Sequence, residues 1–70
     1  MILVFKTSVK KRKDILWLRP FLDRLLQQSE WNFDLEDCDK ILRIDIPIAT
    51  PELVIGLLKS KGFDCTELLD

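Results

Sequence analysis

The alternation in WNFDLEDCDKILRIDI, residues 31 to 46, limits what this chain can fold into more than any other stretch. Trp31, Phe33 and Leu35 occupy one parity of a first strand, and Leu42, Ile44 and Ile46 one parity of a second. Asn32, Asp34, Arg43 and Asp45 fill the positions between. Successive side chains of a strand point to opposite faces, so this period of two predicts a hairpin with one apolar face and one polar face. Glu36, Asp37, Cys38 and Asp39 supply the turn. A lone two-stranded hairpin is marginal in water, so the flanking segments must cover the apolar face.

Those segments have the patterns such a cover needs. MILVFKTSV, residues 1 to 9, is apolar on both parities through Phe5, which suits a central strand rather than an edge. Ile15, Leu18, Leu22, Leu25 and Leu26 recur at the spacing of an amphipathic helix. Pro20 lies inside that pattern and removes the bond to the Leu16 carbonyl. A kink is expected there, because the stripe continues in phase across it. In the second helix Thr50 is the expected N-cap, Pro51 the first helical residue and Glu52 a first-turn acid. Leu53, Val54, Leu57 and Leu58 form its expected buried stripe, and Gly62 its terminator. Phe63 and Cys65 alternate with charged neighbours, as in a short edge strand. The order β-α-β-β-α-β with right-handed crossovers predicts an α+β, ferredoxin-like βαββαβ sandwich: a four-stranded antiparallel sheet with two helices on one face, in a single domain spanning residues 1–70.

Composition narrows function mainly by exclusion. Eleven Lys and Arg against twelve Asp and Glu give a net charge of −1, without the basic surplus of a nucleic-acid binder. The outward strand positions Asn32, Asp34, Arg43 and Asp45 are mostly acidic and carry no aromatic platform for bases. No apolar run is long enough to span a bilayer, and the short run Met1–Phe5 has no basic segment before it, so it reads as a strand and not a signal peptide. With no His, no Tyr, no Gly-rich phosphate loop and no serine beside a base, the chain is expected not to be an enzyme and to need no cofactor. Cys38 and Cys65 are too few for a disulfide scaffold and read as free thiols in a reducing cytoplasm.

Asp34-Leu35-Glu36 followed by Lys40-Ile-Leu-Arg-Ile resembles the central hairpin of heavy-metal-associated, copper-chaperone-like domains. The ending Pro51-Glu52…Ile55…Leu58…Gly62-Phe63…Cys65…Leu68 is similar to that family's second helix, Gly-aromatic turn and last strand, and Ile15, Leu18, Leu22 and Leu25 fall at its helical spacing. The resemblance implies the same sandwich but not the family's chemistry. Its loop after the first strand carries Cys-x-x-Cys, and here Lys11 and Asp14 stand at the two cysteine positions. A cation cannot be a ligand, and a lone carboxylate suits Cu(I) poorly. No metal site is therefore expected. In the resembling family this edge docks an acidic partner through basic side chains, which implies a partner-binding role for Lys10, Lys11, Arg12 and Lys13. Trp17 lies off the main apolar stripe and is the expected exposed contact.

Each of these features has a plainer reading as well. A charge run is usually a solvated loop, and the acidic turn Glu36, Asp37, Asp39 is a solubilising turn rather than a calcium loop, which needs six or more oxygens. Cys65 reads as a small buried hydrophobe and Cys38 as an exposed turn thiol. The strand order 4-1-3-2 separates these two by more than ~10 Å, too far for a disulfide. The expected function is a small non-catalytic protein-interaction domain whose partner has an acidic surface. Two alternatives stay open: a copper or zinc carrier using Cys38 or Cys65 across a dimer, and a structural homodimer module.

Overall fold

The computed structural model describes residues 2–27, 29–35, 40–47 and 51–68. Six elements follow one another: β1 (Ile2–Thr7), α1 (Arg12–Leu25), β2 (Glu30–Asp34), β3 (Ile41–Asp45), α2 (Pro51–Ser60) and β4 (Cys65–Glu67). The strands form one antiparallel sheet in the order β2-β3-β1-β4, a ferredoxin-like βαββαβ arrangement. β1, the strand apolar on both parities, is central between β3 and β4.

The register explains the alternation. Leu3 lies opposite Ile44 and Phe5 opposite Leu42, while Trp31 faces Ile44 and Phe33 faces Leu42 across β2 and β3. Directly opposed residues of an antiparallel pair project to the same face, so these six residues make one apolar surface. Leu18, Leu22 and Leu26 from the first helical segment, and Val54 and Leu58 from α2, are buried against it. Burying each such aliphatic side chain stabilises the fold by about 1.5–3 kcal/mol.

The helices bury narrower stripes than their sequence pattern predicts. Leu25 is 37% exposed and Leu53 55% exposed, although both were expected in the core. The rows Leu18-Leu22-Leu26 and Val54-Leu58 each step by four residues and point at the sheet; Leu25 and Leu53 immediately precede a row member and rotate off it. Ile15, Ile55 and Leu57 beside these rows pack against the core in part, and a four-stranded sheet with short strands leaves the positions beyond them to solvent. α1 also begins at Arg12, so the basic run continues into its first turn, and it runs as one helix through Pro20. Gly62 ends α2 with φ +90°, a backbone conformation that glycine tolerates and other residues resist. Its N–H donates to the Lys59 carbonyl at 3.1 Å and the Phe63 N–H donates to the Leu58 carbonyl at 2.9 Å, the paired bonds of a Schellman turn. The expected Thr50 cap and the turn from Glu36 to Asp39, Cys38 included, lie outside the described residues. Among the described residues no helix is long and apolar enough to cross a membrane.

Candidate binding surfaces around the first helix

The segment joining β1 to α1 is fixed from both sides. Thr7, buried, donates its hydroxyl to the Lys40 carbonyl at 2.7 Å and accepts the Val9 N–H at 3.2 Å. The Thr7 N–H donates to the same Lys40 carbonyl at 3.2 Å. Next in the chain, the Ser8 N–H donates to the Asp64 carbonyl at 3.1 Å, and Ser8 Oγ accepts the Asp64 N–H at 2.8 Å. Val9 is fully buried. Thr7 and Ser8 therefore tie the end of β1 to the residues that lead into β3 and β4, Val9 anchors the segment in the core, and the chain leaves this clasp at Lys10.

Lys10, Lys11, Arg12 and Lys13 are all exposed. Lys11 is the N-cap of α1, in extended backbone, and makes no side-chain cap. An ammonium is a donor only and cannot accept the orphan N–H groups of the first turn. Its carbonyl accepts the Asp14 N–H at 3.0 Å and the Ile15 N–H at 3.4 Å instead. Asp14, half-buried, is the acid of that turn. Among the described residues no three His, Cys, Asp or Glu side chains group as a metal site would need. Cys65 is buried at 2% exposure, and burial pushes its thiol up to about 11, only partly offset by the positive charge of Lys59. The thiolate, which is the nucleophile and the metal ligand, is therefore scarce there at neutral pH.

Trp17 is 52% exposed, yet it is not a bare contact. Its ring meets Phe21 edge-on at 5.6 Å and lies 6.4 Å from Phe63. The Lys61 ammonium sits 3.8 Å from the Phe21 centroid and 5.9 Å from that of Trp17. These residues join α1 to the turn after α2. Lys13 precedes Trp17 by four residues, so α1 carries both on one side.

Arg12 lies on another side of α1, where the structure has a feature the sequence reading did not anticipate. An open groove of about 830 Å³ runs between α1 and β2. Arg12, Leu16, Arg19 and Asp23 line it from the helix, and Trp31 and Phe33 from the strand. Leu16 is 59% exposed. The Trp31 indole Nε1–H donates to Asp23 Oδ1 at 2.9 Å, joining the two walls of the groove, and Trp31 meets Phe33 edge-on at 5.9 Å. The signal was present as a second helical stripe, 12, 16, 19 and 23, beside the apolar one, and as the outermost place of β2 in the expected sheet. On the opposite sheet face Arg43 pairs with Asp34 at 3.7 Å. Comparison of the chain with protein-family models, with curated proteins and with solved structures gives no match.

Proposed function

We propose that this domain is a non-catalytic, cytoplasmic protein-interaction module, built like a heavy-metal-associated domain without its thiolate pair, and that Lys10, Lys11, Arg12 and Lys13 contact an acidic surface of the partner. The observation that carries the reading is the placement of these cations. Four consecutive positive charges lie at or just before the positive end of the α1 dipole, with no side chain capping it. Each charge so placed disfavours the helix by about 0.3–1 kcal/mol at low salt, and Asp14 is the only acid in the first turn to offset them. The clasp through Thr7 and Ser8 nevertheless holds the segment in one place and presents it to solvent. An acidic partner removes the local repulsion as it docks and gains charge-assisted bonds from a prearranged segment.

The test is a quantitative pull-down from the native cell with the wild-type domain and the K10E/K11E/K13E variant, alongside Cu(I) and Zn(II) titrations under reducing conditions. The expected outcome is a captured protein with an acidic surface whose retention falls with salt and is lost in the variant. A partner set indifferent to the reversal sinks this surface. Stoichiometric, cysteine-dependent metal binding near neutral pH sinks the reading as a whole.

A further inference from the structure

The geometry points to the groove between α1 and β2 as a site where an extended segment of a partner protein adds to the sheet as a fifth strand, with apolar and acidic side chains toward α1 and basic side chains on the opposite face. This inference rests on the reading of the domain as a protein-interaction module, and it assigns that module a second surface, which adjoins the basic segment at Arg12.

The argument starts from hydrogen-bond direction. In an antiparallel sheet the N–H and C=O of one residue point to the same side, and successive residues alternate. The Leu68 N–H donates to the Val4 carbonyl at 2.8 Å and the Ser8 N–H to the Asp64 carbonyl at 3.1 Å, so the even-numbered residues of β1 face β4. Its odd-numbered residues then face β3, as the Thr7 bond to Lys40 confirms. With Phe5 opposite Leu42, the even-numbered residues of β3 face β1, and Ile41, Arg43 and Asp45 face β2. Their partners there are Asp34, Asn32 and Glu30. The backbone groups of Trp31 and Phe33 are left directed outward, and among the described residues β2 pairs with β3 alone.

An outer strand with unpaired groups is a template for another strand. Here the space beside it is open rather than filled, and it is walled by a helix. A strand added to β2 lies about 4.8 Å outward and alternates its side chains between two environments. Toward the helix it meets Leu16, Trp31 and Phe33 with Arg12 and Arg19 beside them, which favours apolar and acidic residues. On the other face it lies next to Glu30 and Asn32, and next to Asp34, which Arg43 already pairs; Glu30 supplies the charge that favours basic residues there. In the self-pairing register that sets Trp31 against Phe33 of a second copy, centred on Asn32, Glu30 falls opposite Asp34 of the copy, and like charges directly opposite are repulsive.

The probe is the capped peptide Lys-Val-Lys-Glu-Lys-Val-Lys, with its sign-inverted counterpart Glu-Val-Glu-Lys-Glu-Val-Glu as control, titrated into the isotope-labelled full chain. The expected result is movement and slowed exchange of the Trp31 and Phe33 amides with the first peptide, with about tenfold weaker binding in the exposed variant R19E. The K10E/K11E/K13E variant should bind this peptide unchanged, which separates the groove from the basic segment. No amide response at millimolar peptide overturns the inference. So does a response to both peptides confined to residues 10–13, although that outcome leaves the basic contact surface standing. Concentration-dependent shifts of the same amides without peptide also overturn it, because the occupant is then a second copy.

Discussion

The two edges of the sheet are built on opposite plans. β4 is three residues long and follows the Schellman turn at Gly62 almost directly. Asp64, one residue before it, is held by both the backbone and the hydroxyl of Ser8, and Cys65 is buried beneath it. A short strand clasped at its start offers little for another chain to pair with. β2 is five residues long, the indole of Trp31 ties it to Asp23 of α1, and beside it lies the groove. One small fold thus holds an edge closed by local turn chemistry and an edge kept open by a helix that stands off from it. The difference shows that what precedes and flanks a strand helps to decide whether its edge is closed.

The largest expected effect tests how tightly the β4 edge is closed. The Cys65 thiol is raised from 9.0 to about 11 by burial. Above pH 9 the unfolded chain gives up this proton while the folded chain keeps it, so unfolding is favoured as pH rises. The contribution is fully present below pH 9 and is lost as pH climbs through about 11. At ~1.4 kcal/mol per unit the loss is on the order of 2–3 kcal/mol. Urea denaturation between pH 8 and 11 (a window set by the two thiol values) should show the wild type losing stability relative to Cys65→Ala. Parallel pH profiles for the two proteins mean that the thiol is not closed off, and the contrast between the edges fails.

How much of this was legible in sequence depends on how local the signal is. The element order, the central β1 and the core faces of β2 and β3 follow from parity at Leu3, Phe5, Trp31, Phe33, Leu42 and Ile44. Gly62 announced its own turn, because few other residues accept that backbone. The positions of Leu25 and Leu53 were misjudged because stripe width depends on how wide a sheet the helix meets, which periodicity does not record. The exposed basic residues were read directly, but their fixed presentation depends on Thr7 and Ser8 bonding to Lys40 and Asp64, residues distant in sequence. The groove was the least legible part. Arg12, Leu16 and Arg19 look like the ordinary solvated side of an amphipathic helix until β2 is placed next to them at the edge of the sheet.

A smaller effect is expected at the turn that sets up β4. In Gly62→Ala the added Cβ meets nothing within 4 Å, so the cost is conformational alone. Holding an alanine at φ +90° is expected to cost about 1–2 kcal/mol. Amide exchange should quicken at Thr66 and Leu68, whose strand is launched from that turn, while Asn32 and Asp34 change only with the global stability. Equal acceleration at both edges means that the turn stabilises the whole sheet and not β4 in particular.

The smallest effect comes from the open side. Trp31→Phe keeps an aromatic ring against Phe33 but removes the 2.9 Å bond to Asp23. That bond is exposed, so water replaces it readily and the net loss is about 0.5–1 kcal/mol. What distinguishes the variant is where the loss appears. The bond ties the last turn of α1 to the start of β2, so exchange should quicken at Arg24 and Asn32 while the Cys65 thiol stays as unreactive toward Ellman's reagent as in the wild type. If the thiol instead becomes reactive at neutral pH, loosening β2 has opened the core beneath β4, and the two edges belong to one cooperative unit. An unreactive thiol with a loosened β2 means that the domain can yield at one edge while the other stays shut, which is the behaviour a strand-accepting groove requires.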